Sequence, residues 1–381
     1  MKAYLDNAAT TKVDDKAIKA MIKYMKEDYG NPSSSHIEGA KGKQALEKSR
    51  KIIAKSLNAK SSEIYFTSGG TESNNWAIKG MFFQHFPSKN HIITTKIEHD
   101  ATLKTCQWLE KQGAKITYLN VDKEGFIDLK QLETAITKKT LLVTIIHGNN
   151  EIGTIQDLEA IHKITKQYNI PLHIDTCQSY TKVPIDSKHA ELITINSHKI
   201  NGPKGVGALY IKDKLKLTSL MHGGGHEKQQ RSGTENIPGI AGFAKAVENI
   251  SQRDIKRMIQ LRDKLTKGIL EIKNTKLNGP DLNSNNRLPN NVNISFNDIE
   301  GEAIGGYLEN KNIFVSTGSA CMSNTLKSSH VLQAIGLSPL QANSAIRFSL
   351  SKYTTEKEID YTIKKLPEII RKLRRLSPIV K

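Results

Sequence analysis

From residue 63 to about 212, short apolar and β-branched runs alternate with longer amphipathic stretches. The runs are EIYFTS (63–68), HIITTKIEH (91–99), AKITYLNV (114–121), TLLVTIIHGNN (140–150), IPLHIDT (170–176), ELITINSHK (191–199) and GVGALYIK (205–212). Helical patterns such as 101–112 and 155–168 lie between them, and this alternation predicts βαβ units that build a mostly parallel sheet. Past a glycine-rich turn at 221–234 the pattern predicts one long helical stretch to about 273, followed by a polar, turn-rich loop at 273–290. Strand-like VNISF (292–296), FVSTGSAC (314–321) and SAIRFSL (344–350), interleaved with helical patterns, predict a smaller α+β domain. The expected class is α/β, with a large domain over 14–258 and a small one formed by 1–13 and 259–381.

Several strand runs end on polar residues that a buried strand does not need: His99, Asn149 and Asn150, Asp175, and His198 with Lys199. In open α/β sheets ligands lie beyond the carboxyl ends of the strands, so these side chains are expected to converge on one crevice. Polar strand ends that simply meet solvent are the plainer alternative for any one of them. The run TSGGTESNN leads from a strand through Gly69 and Gly70 to Thr71 and a helix, where free amides can hold a phosphate or merely cap a turn. Lys199, before the turn at Gly202, Pro203 and Gly205, is placed to form a Schiff base with a carbonyl. Asp175 is the kind of acid that a pyridinium nitrogen requires, and His99 is a candidate for stacking on an aromatic ring. Together these point to pyridoxal phosphate.

Composition alters this picture in few places. The 381 residues hold 37% apolar and 25% charged side chains, with no apolar run near the ~20 residues of a membrane span. Asp6 and the lack of an early apolar stretch argue against a secretory leader, so a cytoplasmic protein is expected. A net charge of +18 invites a nucleic-acid reading, but ten of the 56 basic residues are arginine and the lysines are dispersed. Solvated helix faces explain such a spread better than phosphate readout. Of three cysteines, Cys106 and Cys177 have apolar company and read as packing. Cys321, in STGSACMSNT, is surrounded by small polar residues and reads as a nucleophile on an exposed loop. Arg347 inside the strand pattern SAIRFSL suits a substrate carboxylate, with an internal salt bridge as the alternative. No metal site is expected, since HGGGH at 222–226 lacks helix-forming residues between its histidines.

The motifs LDNAATT (5–11), GNPSSSH (30–36), TSGGTESNN (67–75), EH (98–99), NNEIG (149–153), HIDTCQS (173–179), SHKINGPKGVGALY (197–210), HGGGHEKQQRSGTEN (222–236), STGSAC (316–321) and IRFSL (346–350) occur in order over nearly the whole chain. In combination they resemble a cysteine desulfurase, of the bacterial iron–sulfur and tRNA-thiolation type within the class V aminotransferase superfamily. The resemblance implies a fold-type I, pyridoxal-phosphate homodimer. It implies that Lys199 holds the cofactor, Asp175 pairs with its ring nitrogen, Gln178 meets its phenolic oxygen, and His99 stacks and moves protons. Gly70, Thr71 and His198 would bind its phosphate, joined by Asn196 or Ser197, where the family often has a serine three residues before the lysine. Thr234 would reach the phosphate bound by the other subunit. Asn31, Asn150 and Arg347 would bind L-cysteine, and Cys321 would receive its sulfur as a persulfide for acceptors such as an iron–sulfur scaffold or a tRNA-thiolating enzyme. The ending at Lys381, without the C-terminal extension some relatives use to dock a scaffold protein, counts against scaffold binding rather than against the chemistry. A selenocysteine lyase or another class V transferase is the rival enzyme, and a basic nucleic-acid-binding protein on a retired enzyme fold is the rival non-enzyme.

Overall fold

The computed structural model describes residues 1–317 and 328–376. Its strands are β1 (Ala3–Tyr4), β2 (Ile64–Thr67), β3 (His91–Thr95), β4 (Lys115–Leu119), β5 (Thr140–Ile146), β6 (Leu172–Asp175), β7 (Leu192–Asn196), β8 (Gly207–Ile211), β9 (Thr275–Leu277), β10 (Asn291–Phe296), β11 (Ile313–Phe314), β12 (Ser316–Thr317) and β13 (Ala345–Ser349). Its helices are α1 (Asp15–Lys26), α2 (Ile37–Ser56), α3 (Gly70–His85), α4 (Asp100–Glu110), α5 (Leu129–Ala135), α6 (Leu158–Gln167), α7 (Ile237–Glu248), α8 (Gln252–Leu270), α9 (Gly301–Glu309), α10 (His330–Ala334), α11 (Pro339–Asn343) and α12 (Glu356–Leu376).

All seven runs expected between 63 and 212 form one sheet, in the order β2-β8-β7-β6-β5-β3-β4. Every pair from β7 to β4 is parallel, and β8 runs antiparallel between β7 and β2. Strands β3, β5, β6, β7 and β8 are buried at every position. That is why they read as continuous apolar runs: a parallel sheet is covered by helices on both faces. Successive side chains point to opposite faces. Accordingly Ile93, Val143, Ile193 and Ala208 enter one core layer, while Ile92, Leu142, Leu192 and Leu209 enter the other with Trp76 and Met81 of α3. Chain order reverses at β3, whose neighbours are β4 and β5, so a switch point opens at the carboxyl ends of β3 and β5.

A second, antiparallel sheet has the order β12-β13-β10-β9. Its core takes Leu261, Leu265 and Ile269 of α8, Leu366 and Ile370 of α12, and Ala3 and Leu5 from the start of the chain. Two expectations change here. The single helical stretch to about 273 is two helices, because Asn249 ends α7 and Ser251 and Asp254 form a capping box that starts α8. The loop at 273–290 contains β9, which pairs with β10 through Ile294 and Leu277.

Candidate active site

The expected convergence is present for His99, Asn150, Asp175, His198 and Lys199, whereas Asn149 is outside the lining and donates its amide to the Ile97 carbonyl at 2.9 Å. A cavity of about 310 Å³ is lined by Gly70, Thr71, His99, Asn150, Asp175, Gln178, Asn196, His198, Lys199 and Arg347, together with Ala8, Ala9, Asn74, Ala101, Ile146 and Cys177. Each polar member follows from its element. His99 ends the turn after β3, Asn150 follows β5, Asp175 closes β6, Asn196 closes β7 with His198 and Lys199 next, and Gly70 opens α3 after β2. A larger groove of about 500 Å³ lies beside β9, lined by residues such as Lys123, Asn278 and Gln341. It gathers none of the strand-end groups, so the chemistry belongs to the smaller cavity.

At the α3 end, Gly69 has a φ of +152° and Gly70 lies against Cys177, whose Sγ would stand 2.4 Å from a Cβ at position 70. A side chain there would force the sulfur or the start of the helix to shift. The first N–H groups of α3 have no acceptor within the helix and carry the positive end of its dipole, which makes an anion cradle. Glu72 in the same turn is tied off by Arg231 at 2.8 and 3.0 Å and by Ser68 N–H. The Asn196 Oδ1 beside this cradle is buried without a partner, and so is Ser197 Oγ. Asn196 borders the cavity whereas Ser197 does not.

Asp175 is buried, yet its carboxyl lies below the usual range. Burial opposes this, and hydrogen bonds from Cys177 N–H at 2.9 Å and the Asn74 amide at 2.7 Å outweigh it, with His99 adding to the effect. Both hydrogen-bond donors are neutral, so the site keeps a buried negative charge. Burial and the nearby Asp175 push the Cys177 thiol up, in keeping with a packing role, and Cys106 is likewise raised by burial. His99 caps α4 by accepting Ala101 N–H at Nδ1 (3.1 Å), so the neutral ring carries its hydrogen on Nε2. Burial, followed by Lys199, holds its pKa below the ordinary 6.5. His198 is pushed down to about 4 by burial and by Lys199, Lys204 and Lys182. Lys182, lowered to about 7 by burial and by Lys199, donates from Nζ to the Gln178 carbonyl at 2.8 Å. Gln178 Nε2 donates to the Ala8 carbonyl at 2.9 Å.

The opposite wall holds Arg347 of β13, with Nη1 on the Asn150 carbonyl at 3.1 Å and Nη2 on Asp6 at 3.0 Å. The internal salt bridge weighed for Arg347 therefore exists, inside the cavity wall. Besides Ser197, two expected site residues lie outside this cavity. Asn31 sits on an exposed turn with its Oδ1 on Ser33 N–H. Thr234 is exposed and borders a separate cavity of about 220 Å³ with Thr67, Ser68, Gly205 and Arg231. Cys321 lies outside the described residues. Sequence reasoning missed Asn74, although it stands one helical turn after Gly70 on the same face of α3, and it missed Asp6, which is 341 residues from its partner.

The aminotransferase class-V family model matches residues 3–362. "Cysteine desulfurase IscS" of Dictyoglomus turgidum is 47% identical over 383 residues, covering 99% of this chain and 96% of that one. The protein of the same name from Methanosarcina thermophila is 45% identical over 381 residues, covering 99% and 94%. Among solved structures, a "NifS-like protein" superposes with a TM-score of 0.92 at 40% identity, covering 98% of this chain and all of that one. "SspA in complex with cysteine" does so with a TM-score of 0.83 at 37% identity, covering 93% and all of that chain.

Proposed function

The chain belongs to the aminotransferase class-V family and is a cysteine desulfurase, and from that premise we propose how its own residues carry the reaction. The observation that carries the proposal is one cavity joining an anion cradle, a buried uncompensated carboxylate, an amine and a guanidinium. These groups fit pyridoxal phosphate. Gly70, Thr71, His198 and Asn196 would hold its phosphate, with Thr234 contributing from the other subunit of a homodimer. Asp175 would hold its ring nitrogen, Gln178 its phenolic oxygen and Lys199 Nζ its carbonyl carbon. When bound, the cofactor supplies a conjugated sink for the charge left on the substrate Cα.

The remaining work falls to the chain. Arg347 and Asn150 orient the L-cysteine carboxylate, with Asn31 assigned to the same task. Ile146, Ala8, Ala9 and Ala101 furnish an apolar lining that limits water. His99 offers its Nε2 hydrogen to a substrate group, because Nδ1 is already engaged. In the transfer the substrate C–S bond breaks and an S–S bond to Cys321 forms, while the proton displaced from sulfur returns to carbon. L-Cysteine and one thiol thus become L-alanine and one persulfide, with no outside oxidant or reductant. In this reading residues 14–258 form the cofactor domain, and 1–13 with 259–381 form the smaller domain that carries Cys321. The persulfide then passes to cytoplasmic acceptors that serve iron–sulfur cluster assembly or tRNA thiolation.

The test is to incubate the holoenzyme with L-cysteine, alkylate it and map bound sulfane sulfur by mass spectrometry. Label should appear on Cys321, and Cys321→Ser should keep the cofactor's visible absorbance while losing protein-bound persulfide. Persulfide that persists on the serine variant would remove Cys321 from its role.

A further inference from the structure

Arg347 is already held before any substrate arrives. Its guanidinium has five N–H donors. Nη2 donates to Asp6 Oδ1 at 3.0 Å and Nη1 to the Asn150 carbonyl at 3.1 Å, whereas Nε is buried with no partner. The pair is largely shielded from water, with Arg347 7% and Asp6 22% exposed at their side chains. A long side chain with an incomplete set of partners is pinned at its tip by one acid and one carbonyl.

Asp6 is itself locked in place. It bridges to Ser349, two residues beyond Arg347 on β13, and residues two apart on a strand share a face. Ser349 N–H donates to the Leu5 carbonyl at 2.6 Å, Asn7 N–H to the Ser349 carbonyl at 3.2 Å, and Ala8 N–H to Ser349 Oγ at 2.8 Å. The same short stretch continues to the other end of the cavity. Ala8 accepts from Gln178, Thr10 Oγ1 meets His198 Nδ1 at 3.2 Å, and Thr11 N–H donates to the His198 carbonyl at 3.0 Å. Residues 6–11 therefore set the separation between the guanidinium and the cofactor end.

Resting on the reading of Arg347 as the substrate-carboxylate site, we propose that Asp6 is a positioning residue for L-cysteine. It fixes the guanidinium so that the N–H groups left over on Nη1 and Nη2 meet the α-carboxylate of the substrate. A bidentate carboxylate contact depends on the orientation of the planar fork, so freeing its tip should weaken binding of carboxylate ligands and spare others.

The experiment uses holoenzyme and two ligands titrated by calorimetry: L-alanine, which keeps the carboxylate, and cysteamine, which lacks it. Asp6→Ala should weaken L-alanine about five- to twentyfold and raise KM for L-cysteine by a similar factor, with kcat and cysteamine affinity within about twofold. Asp6→Asn, which retains an acceptor for Nη2 and the same shape, should recover part of the loss. Equal weakening of both ligands, a fall in kcat at unchanged KM, or unchanged L-alanine affinity in Asp6→Ala would overturn the proposal. Arg347→Lys is measured in parallel. If it too leaves L-alanine binding intact, the assignment of Arg347 fails; if it alone weakens binding, only the role of Asp6 fails.

Discussion

Glu98, one residue before His99, shows how a single buried group can make stability depend on pH. Its Oε1 accepts from the Thr95 hydroxyl at 2.7 Å and from Ile146 N–H at 2.9 Å, while Oε2 is buried without a partner. Burial pushes its pKa from 4.5 up to about 8, the two hydrogen bonds oppose the rise, and Asp175 adds to it. The folded chain therefore keeps a proton that the unfolded chain has released at neutral pH. The stability linked to that proton is complete below about 4.5 and is lost progressively as pH rises to about 8, a difference on the order of 5 kcal/mol. Glu98→Gln copies the neutral acid and still accepts at its carbonyl oxygen. Thermal melts from pH 5 to 9 should show the parent falling relative to this variant between about pH 5 and 8 and running parallel to it above, and curves parallel throughout would contradict the assignment.

The turn from β2 into α3 is decided by one contact between elements. A Cβ at Gly70 meets Cys177 Sγ at 2.4 Å, and the next nearest atom, Asn196 Nδ2, is 3.5 Å away. Gly70→Ala should therefore push the helix start away from its place beside β6 and weaken cofactor binding at least about tenfold, since the cradle depends on those first amides. Cys177→Ala removes the obstructing atom, so the double variant Gly70→Ala/Cys177→Ala should recover most of the affinity. Titration of the apoprotein followed by cofactor absorbance measures both. A double variant no better than Gly70→Ala alone would show that the sulfur does not set the limit. Helix α8 shows the same dependence on a local device, since its capping box at Ser251 separates it from α7 and lets Lys352 reach the Asn249 carbonyl at 2.8 Å.

Across the whole molecule the net charge of +18 is carried mostly by dispersed lysines. Such a surface speeds encounter with acidic partners over distances that salt screens, about 10 Å at 0.1 M and 3 Å at 1 M. Persulfide delivery to an acidic acceptor should accordingly slow several-fold between low and high salt, whereas L-alanine release in the first turnover, inside the cavity, should change little. Rapid-mixing measurements of the two steps separate them. If delivery were indifferent to ionic strength, the lysine excess would have no part in finding the acceptor.

How much of this was legible without coordinates differs by level. Strands β3 and β5 to β8 were readable because a sheet buried on both faces demands unbroken apolar and β-branched runs, and turn residues mark their ends locally. The polar strand ends His99, Asn150, Asp175 and Lys199 were readable for the same reason, since each breaks an apolar pattern at a defined point. The break between α7 and α8 was present in Ser251 and Asp254 but hidden by continuous amphipathic periodicity on either side. Other features left no local mark. That Gly70 lies against Cys177, that Asn74 neutrally supports Asp175, and that Asp6 pins Arg347 across 341 residues all depend on sheet order and on the register between distant segments. Sequence by itself determined which elements form and which side chains are out of place in them, because propensity and burial pattern act over a few residues. Tertiary structure alone decided which of those side chains meet, because close contact is set by packing between elements far apart in the chain.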